Sequence, residues 1–223
     1  MGVLETAAHI VELGAGAELA PRVAEMRAGF EARTGAFVPE DSWFEERSRA
    51  FWCDAVTAGR FGREVRAQLP EDEHLWLGPL EHAHRGLFRA EGALLVDEWS
   101  GAELVVTSMD EASRAELDAA AGQLFDARVV GADEPYVIAL LPGAVFHPRD
   151  ATAAIAPVLT AARARSMATT DTLDALLRMG RMLRSLSRVK AAYAYRPEAL
   201  SPQAPSTPVL PGRATRRGAK ART

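Results

Sequence analysis

LFRAEGALLVDEWSGAELVVT (87–107) and LFDARVVGADEPYVIALLPGAVFH (124–147) are the two stretches that decide the fold. Leu94 to Trp99 and Ala102 to Thr107 are rich in Leu, Val and Trp and flank Ser100-Gly101. That pattern predicts a hairpin, with Leu87 to Ala90 as a preceding strand. Leu124 to Val130 and Tyr136 to Leu141 flank Gly131-Ala132-Asp133-Glu134-Pro135, a second hairpin signal. Pro142-Gly143 marks a third turn before a last short strand, Ala144 to His147. Closely spaced turns of this kind predict a small antiparallel sheet or partly open barrel over 87–147. Such a sheet must be covered on its apolar face.

The cover is expected from helices on both sides. In 1–86, Leu19, Val23, Met26 and Phe30 recur at helical spacing, Pro21 suits a first turn, and Gly35 follows as a stop. Ser42 and Glu45 have capping-box spacing ahead of an aromatic helix carrying Phe44, Phe51 and Trp52. A short helix is expected over 60–69. Another is expected over 72–86, broken or kinked at Gly78-Pro79. Between the hairpins, Asp110 to Ala121 reads as a short polar helix. In 148–195 the helical period returns, with Thr169 or Thr170 capping a long helix that runs to about Tyr195. Residues 196–223 carry five prolines and then a run of Arg and Lys, with too little apolar surface to fold, so a disordered basic tail is expected. The predicted class is α+β: a helical N-terminal part on a small antiparallel sheet, then C-terminal helices and the tail.

Composition excludes several classes. In 223 residues, 48% are apolar and 25% charged, a globular profile with enough chain for one full core. The longest apolar run, Tyr136 to Phe146, has 11 residues, whereas a membrane-spanning helix needs about 20. The first ten residues contain Glu5 and neither Lys nor Arg, which argues against a secretory signal and for a cytoplasmic protein. One cysteine, Cys53, leaves no disulfide framework. The Arg excess over Lys, 24 to 2, points to a GC-rich bacterial genome more than to phosphate binding.

The net charge of −4 conceals a polarity. Residues 1–160 hold 13 Arg against 27 acidic residues, while 161–223 hold 13 basic residues against Asp171, Asp174 and Glu198. On the helix predicted from about 170, Leu176, Met179, Met182, Leu183, Leu186 and Val189 share one sector. Arg178, Arg181, Arg184 and Arg188 fall in the opposite one, and Arg213, Arg216, Arg217 and Lys220 follow in the tail. These eight are the candidate anion-binding residues. A phosphate backbone or an acidic protein surface is the partner chemistry they imply. The alternative is that the basic end lies on the acidic body and is cancelled by it. A membrane surface fits less well, because the apolar sector has no Trp or Phe and is needed for the core.

Other motifs are local. His9-Ile10-Val11-Glu12-Leu13-Gly14-Ala15-Gly16-Ala17-Glu18 resembles the first motif of SAM-dependent methyltransferases, an apolar strand followed by an acidic residue and Gly-x-Gly. That resemblance implies a strand ending at Glu12, a Gly-rich turn at 14–16 against the cofactor, and a following βαβ unit. Glu18 stands where that family usually has a third Gly. His82-Ala83-His84 can chelate a metal only on a strand, because on a helix rings two apart diverge. Cys53 beside Asp54 reads as an inert buried thiol. Tyr193 and Tyr195 are placed either to stack on bases or to pin the helix end to the body. No polar spacing in the body matches acid–base or nucleophilic catalysis. The expected function is therefore a non-enzymatic intracellular interaction or regulatory module with no cofactor. A methyltransferase-like enzyme and a purely structural partner-binding protein are the alternatives.

Overall fold

A computed structural model describes residues 2–186 and 188–201. The expected α+β architecture is present. Strands β1 (His84–Glu91), β2 (Leu94–Asp97), β3 (Glu103–Val105), β4 (Leu124–Asp133) and β5 (Tyr136–Leu140) form an antiparallel half-barrel in the order β3-β2-β1-β4-β5. The two-residue strand β6 (Val145–Phe146) pairs with the start of β4, Phe125 opposite Phe146. The turn into β6 uses Gly143 at φ 108, and a Cβ there would stand 2.7 Å from the Arg49 carbonyl oxygen. Only glycine meets both demands.

Helices α1 (Val3–Gly14), α2 (Ala20–Thr34), α3 (Phe44–Val56), α4 (Phe61–Glu64) and α5 (His74–Glu81) precede the sheet. Helix α6 (Glu111–Ala119) lies between the hairpins, and α7 (Thr152–Ala164), α8 (Thr169–Ser185) and α9 (Ala191–Ala194) follow. Strand alternation sorts the β4 side chains. Phe125, Ala127 and Val129 join a core with Phe88, Leu95 and Leu117. Leu124 joins the C-terminal helices and Val130 the N-terminal ones. The residues between those two on the same face are Asp126 and Arg128, both buried.

Several local expectations change. The chain begins α3 at Phe44, with Trp43 at the cap position and no side-chain cap. Asp41, not Ser42, ties the preceding turn: its carboxylate accepts from Val38 N at 2.9 Å. Thr169 and Thr170 lie within the first turn of α8 behind Ala168. Pro79 sits inside α5 without ending it. The long helix expected to reach Tyr195 stops at Ser185. Leu186 is extended (φ −105°, ψ 139°) and Arg188 has φ 60°, so the chain turns back and re-forms a single helical turn at α9. Among the described residues, no helix is long and apolar enough to cross a membrane.

Candidate anion-binding site

Helix α8 is buried nearly all round in its first half. Thr172 to Leu177 and Met179 are in the core, and Met182 and Leu183 pack against it. The arginines therefore emerge only towards its C-terminal end, and the structure separates them. Arg178 is half-buried and donates from Nη1 to the Arg33 carbonyl, and burial lowers its pKa. Arg184 is ion-paired to Glu46 and donates to the Phe146 carbonyl at 3.1 Å. Arg181 and Arg188 are exposed and have no carboxylate partner among the described residues. Arg188 lies beyond the end of α8, so the four do not form one continuous helical stripe. Arg213, Arg216, Arg217 and Lys220 lie outside the described residues.

Beneath Arg181 and Arg184 is a small cavity of about 20 Å³, enough for about one water-sized group, lined also by Trp43, Arg47 and His147. Arg47 comes from α3 and is 3% exposed. Its guanidinium stands over Phe30 and Phe37, 5.0 and 5.5 Å from the ring centroids. Nη2 donates to Thr34 Oγ1 at 2.6 Å and to the Thr34 and Gly35 carbonyls. No carboxylate pairs with Arg47 among the described residues, and burial pulls its pKa down to about 10. A buried cation left without an acid is costly, because lost hydration is not repaid.

His147 closes the cavity from the end of β6. It is 2% exposed, and burial pushes its pKa down to about 4, so the ring is neutral at pH 7. Its Nδ1 lies 2.7 Å from the Tyr195 hydroxyl. The direction of this bond follows the ring tautomer: with the hydroxyl donating to Nδ1, the ring proton sits on Nε2. Gly180 makes room for this contact: a Cβ there would meet Tyr195 Oη at 2.9 Å. Trp43 Nε1, Arg47 Nε and His147 Nε2 are all buried without a hydrogen-bond partner. Three unpartnered nitrogens thus belong to residues lining one cavity.

A different set of arginines is fully matched. Arg85 on β1 binds Asp126 (2.6 Å) and Asp174 of α8 (2.7 Å). Arg33 of α2 bridges Asp174 (3.0 Å) and Asp54 of α3 (2.7 Å), and Arg128 pairs with Asp54. Three Arg and three Asp balance, and the lattice fastens α2, α3 and α8 to β1 and β4. Arg85 and Arg128 stand directly opposite each other across the strands, so the acids also separate like charges.

The remaining sequence candidates resolve simply. Residues 9–14 are the last turns of α1, and no strand precedes Gly14-Ala15-Gly16, so the methyltransferase-like strand and turn are absent here. His82 and His84 part company: His82 Nδ1 meets the Gly78 carbonyl at 2.8 Å, and His84 Nε2 meets Asp97 at 3.1 Å. No metal-binding cluster occurs among the described residues. Cys53 is buried, and burial raises its pKa. Tyr195 pins the returning chain to α8, while Tyr193 is exposed. Comparison with protein-family models, curated proteins and solved structures gives no match for this chain.

Proposed function

We propose that the protein is a non-enzymatic cytoplasmic interaction module whose basic C-terminal surface holds an anionic partner, and that this partner is an acidic protein segment. One observation carries the reading: among the described residues Arg181 and Arg188 stand exposed without carboxylates, and Arg181 lines a cavity with a buried Arg47 that also lacks one. Intramolecular ion pairing reaches Arg184, through Glu46, and among the described residues leaves Arg181 and Arg188 unpaired. A few separate cations around one small cavity suit discrete carboxylates better than a continuous phosphate backbone, which presents a charge about every 1.7 Å of duplex.

Nucleic acid is the second reading, favoured by Arg213, Arg216, Arg217 and Lys220 in the tail. Fluorescence anisotropy of the full chain separates the two, using a labelled oligo-glutamate, a single-stranded RNA and a DNA duplex over a range of salt. Tighter binding of the oligo-glutamate, weakening as salt rises, supports the acidic-segment reading. Preference for RNA or DNA that drops on removal of residues 197–223 transfers the function to nucleic acid. Affinities no better than millimolar at low salt for all three ligands refute both.

A further inference from the structure

We propose that the cavity between α3, β6 and α8 is a carboxylate-binding pocket with Arg47 as its buried cation, a site that rests on the anion-binding reading above and gives it a ligand chemistry. The lining decides the sign of the ligand. Trp43 Nε1 and Arg47 Nε are donors with nothing to donate to, and His147 Nε2 is a third nitrogen without a partner among the described residues. No lining side chain carries a carboxylate, hydroxyl or amide oxygen. A water molecule accepts about two hydrogen bonds and brings two protons of its own, which would face donors. An anionic oxygen brings none, and these nitrogens belong to residues that line its space.

Charge agrees with the donor inventory. Of the three arginines lining the cavity, only Arg184 is paired, leaving Arg47 and Arg181 as unmatched positive charges. A space of about 20 Å³ takes about one water-sized group, such as one oxygen of a carboxylate with the rest of the group outside. Arg181 stands exposed at that rim, where it meets the outer oxygen or the chain carrying it. The guanidinium–carboxylate match is the strong, planar, charge-assisted kind. An Asp or Glu side chain of the partner segment is the ligand this chemistry selects.

The test is a titration of ¹⁵N-labelled full-length protein, read at the Trp43 indole N–H. Trp43→Phe assigns that resonance among the four tryptophans. Acetate, formate, inorganic phosphate and chloride are compared at constant ionic strength. Acetate and formate are expected to shift the Trp43 indole saturably, leaving the other three indoles in place. Arg47→Met is expected to weaken that binding about tenfold or more, the loss of one charge-assisted hydrogen bond. Arg181→Gln, at an exposed position that does not threaten folding, is expected to weaken it several-fold. An unmoved Trp43 indole overturns the pocket, as does an equal response to chloride, and a response to phosphate alone overturns the carboxylate assignment. If oligo-glutamate binds while Trp43 stays silent, the pocket fails and the surface reading stands. If acetate binds and oligo-glutamate does not, the surface reading fails and the pocket stands.

Discussion

Replacing Arg85 by methionine would strand Asp126. In the native protein Arg85 donates from Nε and Nη2 to the two Asp126 oxygens at 3.0 and 2.6 Å, and from Nη1 to Asp174 at 2.7 Å. The side chains of Arg85, Asp126 and Asp174 are 7, 5 and 6% exposed, so water screens little of this. Asp174 keeps Arg33 in the variant, but Asp126 loses the only guanidinium hydrogen-bonded to it among the described residues. Breaking a buried pair from one side costs about 3–5 kcal/mol, a large share of a stability of about 5–15 kcal/mol. Arg85→Met combined with Asp126→Leu removes both charges and is expected to recover most of the loss, a non-additivity of several kcal/mol. Urea unfolding followed by far-UV circular dichroism at pH 7 measures both quantities. The pH dependence adds a check. Burial alone would raise the Asp126 pKa, but Arg85 overrides it and holds the carboxyl below its usual range. That stabilisation is present above the unfolded value of about 3.9 and is lost as pH falls through the lower folded value. Without Arg85 the burial effect prevails, so the variant's deficit narrows as the medium is acidified. A loss under about 1 kcal/mol in Arg85→Met, or a double variant as unstable as the sum of its parts, refutes the reasoning.

His147, held near a pKa of about 4 by burial, binds its proton more weakly folded than unfolded. Its contribution to stability is therefore full above the unfolded value of about 6.5 and is lost as pH falls towards 4, a decline of roughly 3 kcal/mol. Urea denaturation from pH 7.5 to 4.5 is expected to show this phase, and His147→Gln is expected to lack it. Gly180→Ala places a methyl 2.9 Å from Tyr195 Oη and pushes the ring off His147. A destabilisation of about 1–3 kcal/mol is expected from thermal unfolding, together with a changed environment at Trp43; an unaltered melting temperature counts against the close contact.

The half-barrel was legible because β1, β2, β4 and β5 carry strong strand residues between marked turns, and pairing Tyr136–Leu140 back onto β4 needs only local chain reversal. The buried lattice does leave a signal in the sequence. Asp126 and Arg128 sit two apart inside an apolar strand run, so they share its helix-facing side and require partners. The partners Asp54, Asp174 and Arg33 come from distant segments, and spacing along the chain says nothing of them. The end of α8 follows the same logic. The sequence 186–189 continues a helical pattern, but burying Tyr195 against Gly180 and His147 favours the extended Leu186 and left-handed Arg188, and tertiary contact overrides local propensity. Arg181 and Arg184 were visible as part of a basic face; Trp43, Arg47 and His147 were not, because two come from an aromatic helix and its cap and the third from a strand end.

The claim that the basic surface at and beyond the end of α8 receives an anionic partner is tested most directly by reversing the unmatched charges of Arg181 and Arg188. Oligo-glutamate affinity is measured by isothermal titration for the native chain and for Arg181→Glu/Arg188→Glu, at low and at physiological salt. The account predicts native binding that weakens as added salt shortens the screening length to about 8 Å, and no measurable binding by the reversed protein at either salt. Equal affinity in the two proteins would contradict it.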